Sequence, residues 1–149
     1  MFDEPGAEPN PIPPDLKAAL EDENCIVVAH NASFEKAMLT YVLGPRHGWP
    51  VPHPFRWDDT AARAARQALP RSLEGAAAAL GLDVQKDSEG RSLMLRMCRP
   101  RSVAEDGTIT WWEDRTRMDR LAQYCATDVE VERQLDHVLR PLTGDERKV

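Results

Sequence analysis

The sequence predicts an α/β domain that is mostly helix, and three observations carry that prediction. A short run, Cys25-Ile26-Val27-Val28-Ala29, is too apolar for an exposed face and reads as a buried strand. A helix opens almost at once after it, ahead of Glu35, which is the strand-then-helix order of α/β proteins. Towards the end of the chain, apolar residues recur at the three-and-four spacing of a core-facing helical stripe.

The elements follow in order. "EPGAEPNPIPPD" holds five of the twelve prolines and makes an extended lead-in, because proline lacks the amide donor and fixes φ. Asp15 to Leu20 reads as a short helix on a proline start. After the strand, a helix is expected from Ala32 to Leu43, with Phe34, Met38, Tyr41 and Val42 on its apolar stripe and Gly44-Pro45 stopping it. Residues 45 to 57 form a proline-rich loop. Asp58 or Asp59 caps an alanine-rich helix reaching about Leu69, and Ser72 caps another that ends at Gly81, where Leu82 folds back on the last turn. A helix from Ser88 to Cys98 is weakened by Gly90. "VAEDGTITW" predicts a β-hairpin with a type I′ turn at Asp106-Gly107. Two helices, or one continuous helix, run from Asp114 through Thr127 to Leu139.

The 149 residues suit one domain, and 42% apolar with 30% charged residues is an ordinary globular balance. No run is long and uncharged enough to span a membrane, and Met1 to Pro5 has neither the basic nor the apolar part of a signal peptide. A soluble, cytoplasmic protein is the expectation. Cys25, Cys98 and Cys125 lie far apart without a CxxC pair, so they read as reduced and mostly buried thiols, and the four histidines show no metal-binding spacing. A net charge of −6 argues against a protein that coats nucleic acid by charge alone. Residues 56 to 101 are nevertheless net +3, between flanks of −5 and −4. That suits a basic approach surface beside an acidic, cation-binding centre; ordinary solvated charge is the alternative.

Two acids stand out. Asp128 falls on the stripe of Leu121, Tyr124, Val131 and Leu135, where an unpaired charge costs several kcal/mol and calls for an arginine, backbone donors or a metal ion. Its alternative reading is the cap of a second helix beginning there. Glu35 sits in the first turn of its helix, a place that the helix dipole favours for any carboxylate. Taken together, a strand ending in His-Asn, a helix opening with Glu and a distant Tyr-x-x-x-Asp form a set that Mg²⁺- or Mn²⁺-dependent phosphodiester chemistry uses, with two ions flanking the reacting phosphate.

The motifs resemble the DEDD superfamily of 3′-to-5′ exonucleases, in the branch whose third motif is Tyr-x-x-x-Asp. Asn31-Ala32-Ser33-Phe34-Glu35 fits the second motif, with Glu where most members have Asp, and Tyr124-Cys125-Ala126-Thr127-Asp128 fits the third. The intervening "RWDDTAARAARQALPRSLEGAAAALGLDVQKDSEGRSLM" and "CRPR" look like the proofreading domain of phage and prophage family A DNA polymerases, so the similarity spans nearly the whole chain. The resemblance implies a ribonuclease H-like fold, two Mg²⁺ or Mn²⁺ ions, and a single-stranded DNA 3′ end as substrate. It makes Asp128 and Glu35 metal ligands, and gives Tyr124 the task of orienting the attacking water. Asn31 would fix the loop beside the DNA. Lys86 and Arg91, with Arg63, Arg66, Arg71 and Arg96, would meet strand phosphates, against the plainer reading as surface residues. Trp111 and Trp112 would stack on unpaired bases or, more simply, pack the hairpin on the body.

The sequence departs from the family in one respect. The family's first motif is Asp-x-Glu on a strand upstream of the second, where alternate residues share a face. Asp3-Glu4 are adjacent, while Asp87-Ser88-Glu89 and Asp128-Val129-Glu130 fall downstream in a turn and a helix. The expectation is an N-terminally truncated piece of the fold that belongs beside further polymerase polypeptide and is weak or inactive by itself. A degenerate, non-catalytic domain that binds nucleic acid or protein is the rival, and a helical module in which both acids are caps is a third reading.

Overall fold

A computed structural model describes residues 12–82 and 87–146. The lead-in up to residue 11 and Lys86 lie outside the described residues. Helix α1 (Pro14–Glu21) starts on proline, whose missing N–H costs nothing in a first turn. Strand β1 (Val27–Ala29) is shorter than the apolar run suggested. Helix α2 (Ser33–Met38) passes into a π turn over Leu39–Leu43 and then α3 (Gly44–His47). A 3₁₀ turn (Pro54–Arg56) leads into β2 (Trp57–Asp59), which pairs in parallel with β1 in the register Val27↔Trp57 and Ala29↔Asp59. Then come α4 (Thr60–Arg66), α5 (Leu73–Ala79), α6 (Ser88–Met97), a hairpin of β3 (Ser102–Val103) and β4 (Ile109–Thr110), and α7 (Arg115–Val138).

Gly44-Pro45 does not stop the second helix. The Gly44 N–H reaches the Leu39 carbonyl five residues back, so the turn widens and the chain continues until Gly48 takes the left-handed conformation at φ 66°. The expected apolar stripe fails with it. Phe34 is 65% exposed and Tyr41 75% exposed, while Leu39 is buried. Strand β2 hid inside the proline-rich loop because three residues are too few for a period-2 signal.

Two apolar clusters hold the described residues together. One gathers Leu20, Ala29, Ala32, Leu39 and Trp57 around the small sheet. The other gathers Ala64, Ala76 and Ala77 against Val131, Leu135 and Leu139, where alanines let α4 and α5 come close to α7. Arg56 ties α1 to the sheet by donating to the carbonyls of Ala19, Leu20 and Cys25. Arg63 does the same for the end of α7. It is 3% exposed, donates to the carbonyls of Asp136, Leu139 and Arg140, and pairs with the Asp136 carboxylate. Arg63 is therefore an internal strut rather than a surface contact for phosphate.

The caps at Asp59, Ser72, Asp87 and Asp114 accept the backbone N–H groups of the turns that they open. At Gly81, φ is 70° and the Leu82 N–H returns to the Ala77 carbonyl, the fold-back read from "LGL". The hairpin turn differs from expectation. Type I′ needs positive φ at both central residues, whereas only Gly107 has it, at 85°, and the Gly107 N–H bonds the Ala104 carbonyl. The connection is a three-residue loop with its glycine left-handed. Cys98 and Cys125 are exposed and Cys25 is half-buried, so the thiols are not core residues.

Candidate functional site

Helix α7 is continuous through Asp128, so Asp128 caps nothing. It is half-buried, as is Tyr124 one turn before it on the same face. Burial first, and then the Asp128 carboxylate near it, push the Tyr124 phenol above its ordinary value. At neutral pH the hydroxyl therefore keeps its proton. Gly90 makes room for the ring: a Cβ there would lie 2.5 Å from Tyr124 Cδ2. The glycine that weakens α6 as a helix is what lets α6 lie against α7.

Beside this pair opens a cavity of about 430 Å³, lined by Ser72, Glu74, Asp87, Arg91, Tyr124, Thr127 and Asp128 among others. Arg91 is exposed there, and its charge acts on the Tyr124 hydroxyl.

The strand-to-helix turn is built separately. Asn31 adopts φ 65°, a left-handed conformation that Asn tolerates, and its N–H donates to Asp59 Oδ1 at 2.9 Å. That same oxygen accepts the Ala61 and Ala62 N–H groups, so Asp59 joins the end of β1 to the start of α4. His30 bridges further, with Nε2 2.9 Å from the Arg71 carbonyl and Nδ1 2.9 Å from Thr60 Oγ1. A carbonyl only accepts, so Nε2 carries the hydrogen, and in the neutral ring Nδ1 takes the Thr60 hydroxyl proton. Asn31 is thus held at the turn through its backbone N–H.

Glu35, opening α2, meets α7 at a residue that the sequence reading missed. Its neighbour is Glu132, one turn beyond Asp128 on the same helical face. Burial first, then the charge of Glu35 and after it those of Asp136 and Asp59, raise the Glu132 carboxyl to about 7, while the His30 backbone N–H pulls it down. Glu35 Oε2 and Glu132 Oε1 are both buried without a hydrogen-bond partner. The signal for Glu132 was its i+4 spacing from Asp128, which Glu130, two residues on and facing away, obscured.

The implied Mg²⁺ or Mn²⁺ is tested by these atoms. Hard carboxylate oxygens, two of them buried, partnerless and mutually repelling, fit a divalent cation in kind. In number they fall short of a two-ion site: among the described residues, no three His, Cys, Asp or Glu side chains converge as a metal cluster.

Trp112 lies between two guanidinium groups, with Arg117 Cζ 4.8 Å and Arg101 Cζ 5.6 Å from its ring centroid. Trp112 is half-buried, and Trp111 beside it is exposed. Among the described residues, no helix is long and apolar enough to cross a membrane.

The chain is 31% identical over 133 residues to a DNA polymerase of Bacillus phage SP02, a match covering 87% of this chain and 20% of that polymerase. The chain therefore spans about a fifth of the length of the curated relative it matches. No protein-family model matches it, and no solved structure does. What the similarity establishes is a relation to one region of a phage DNA polymerase.

Proposed function

We propose that this chain is the 3′-to-5′ exonuclease, or proofreading, region of a phage-type family A DNA polymerase, with a ribonuclease H-like fold, hydrolysing DNA phosphodiesters at a single-stranded 3′ end. The observation that carries the reading is the Tyr124–Asp128 pair, one turn apart on an unbroken helix and open to a common cavity, in a chain related to a phage polymerase.

By the motif resemblance, Asp128 and Glu35 are the residues that would hold Mg²⁺ or Mn²⁺, and Glu132 is a further buried carboxylate near Glu35. A bound divalent cation supplies the positive charge that offsets charge build-up on the phosphate during displacement. Tyr124, kept protonated beside Asp128, orients a water through its hydroxyl. Arg91 faces the cavity and offers a guanidinium to a phosphate.

Two motif carboxylates are half of the family's four, and phosphoryl-transfer catalysis depends on preorganised charge. The 149 residues should therefore digest a 5′-labelled single-stranded oligonucleotide weakly or not at all, and digestion should appear when a polymerase segment bearing a strand-borne Asp-x-Glu is supplied in trans. In the restored pair, Asp128→Ala should abolish shortening from the 3′ end. Restored digestion that survives Asp128→Ala would refute the assignment. A second reading, a non-catalytic domain of the same fold that binds nucleic acid or protein, is favoured by the lack of a three-acid cluster among the described residues. Association in trans without digestion would select it.

A further inference from the structure

From residue 91 to residue 101 the chain carries four arginines, Arg91, Arg96, Arg99 and Arg101, and no acid, within a protein of net charge −6. All four are exposed, and no carboxylate among the described residues forms an ion pair with any of them. Arg120 shows the contrast. It is neutralised by Asp87 and spends its charge joining α6 to α7. Four like charges left unmatched on one short run repel one another, and they concentrate a positive potential that polyanions relieve.

Their placement gives the run a direction. Arg117, Arg120, Tyr124 and Asp128 share one face of α7, spaced three, four and four residues apart, and α6 lies along it. The cavity holding Arg91, Tyr124 and Asp128 and a second of about 430 Å³ holding Arg96 and Arg120 both use Ser88, so they abut at the head of α6. Among the described residues, Glu89 is the one acid lining that second cavity, and its charge acts on Arg120. Beyond it stand Arg101 and Arg117, both over the Trp112 ring. From Arg117 to Asp128 the helix rises roughly 16 Å at its standard pitch.

We propose that this arginine track along the α6/α7 seam carries the backbone of single-stranded DNA between the Asp128 cavity and the Trp112 stack. That the strand is DNA rests on the function proposed above; the track itself rests on charge and geometry. Guanidinium forks match phosphate oxygens two at a time, which suits the evenly recurring phosphates of an extended strand.

The test is fluorescence anisotropy of a 5′-labelled oligothymidylate titrated with the 149-residue chain in EDTA at several salt concentrations. The triple variant Arg96→Ala, Arg99→Ala, Arg101→Ala should bind at least about tenfold more weakly, and its log-log salt slope should shrink by about two, since each phosphate contact on a single strand contributes roughly 0.7. Circular dichroism checks folding, and single Arg99→Glu, at an exposed site, replaces the triple if that variant misfolds. Unchanged affinity and slope, no binding by the wild type, or displacement of the DNA by an equal charge of polyglutamate would each overturn the track. Digestion in the restored pair that ignores these arginines would sink the track and leave the exonuclease reading standing. Arginine-dependent binding with no digestion, even with the first motif supplied, would do the reverse.

Discussion

Glu132 is the residue whose chemistry departs furthest from the ordinary. Its carboxyl is raised to about 7 by burial and by Glu35, against an ordinary 4.5. The folded chain thus keeps a proton that the unfolded chain releases. The stability contributed by this group is complete below about pH 4.5 and is lost as pH rises through about 7. Glu132→Gln removes the repulsion without the volume. In EDTA, denaturant midpoints of the variant should exceed those of the wild type at pH 8 and converge with them near pH 5. Equal differences at both pH values would mean that the Glu132 carboxyl is not raised in the folded chain. The sequence showed Glu35, Tyr124 and Asp128 as candidates because motif spacing is local. It did not show Glu132, whose importance comes from a residue nearly a hundred positions away that only the fold brings near.

Among the elements, caps and long helices were legible and breaks were not. Asp59, Ser72, Asp87 and Asp114 cap as their residue types suggest, because a cap depends on three or four consecutive residues. The π turn at Leu39–Leu43 and the hairpin loop at Gly107 escaped notice, since each is decided by which carbonyl the next N–H reaches. Arg63 is the residue on which the helix α4 to α7 joint turns, and replacing it by alanine strips the last-turn carbonyls and Asp136 of their donor. Losing one partner of a buried network of this kind costs about 3 kcal/mol. For a chain of this size that lowers Tm by roughly 10 °C. Arg99→Ala, exposed and without a described partner, should move Tm little. Comparable losses in the two variants, read by calorimetry, would contradict the strut.

At the scale of the whole molecule, the sequence announced an α/β chain with a minor sheet, and the two-stranded parallel pair with helices around it agrees with that outline. The two apolar clusters were less legible, because half of the second is alanine, a residue that marks a core only once its neighbours are known. The charge map was readable from counting alone: a basic middle between acidic ends, with Arg91 to Arg101 as its densest stretch. What unites these layers is that β1, α2 and α7 converge where Glu35 and Glu132, distant in sequence, act on each other, and the proposed cation site requires Asp128 to share in that convergence. Paramagnetic broadening by Mn²⁺ in an ¹⁵N-labelled sample measures that convergence most directly. At substoichiometric Mn²⁺ the amides around Glu35 and those around Asp128 should broaden together, and Asp128→Asn should spare both sets. Broadening confined to one set, or scattered over the acidic termini and indifferent to Asp128→Asn, would contradict a shared cation site.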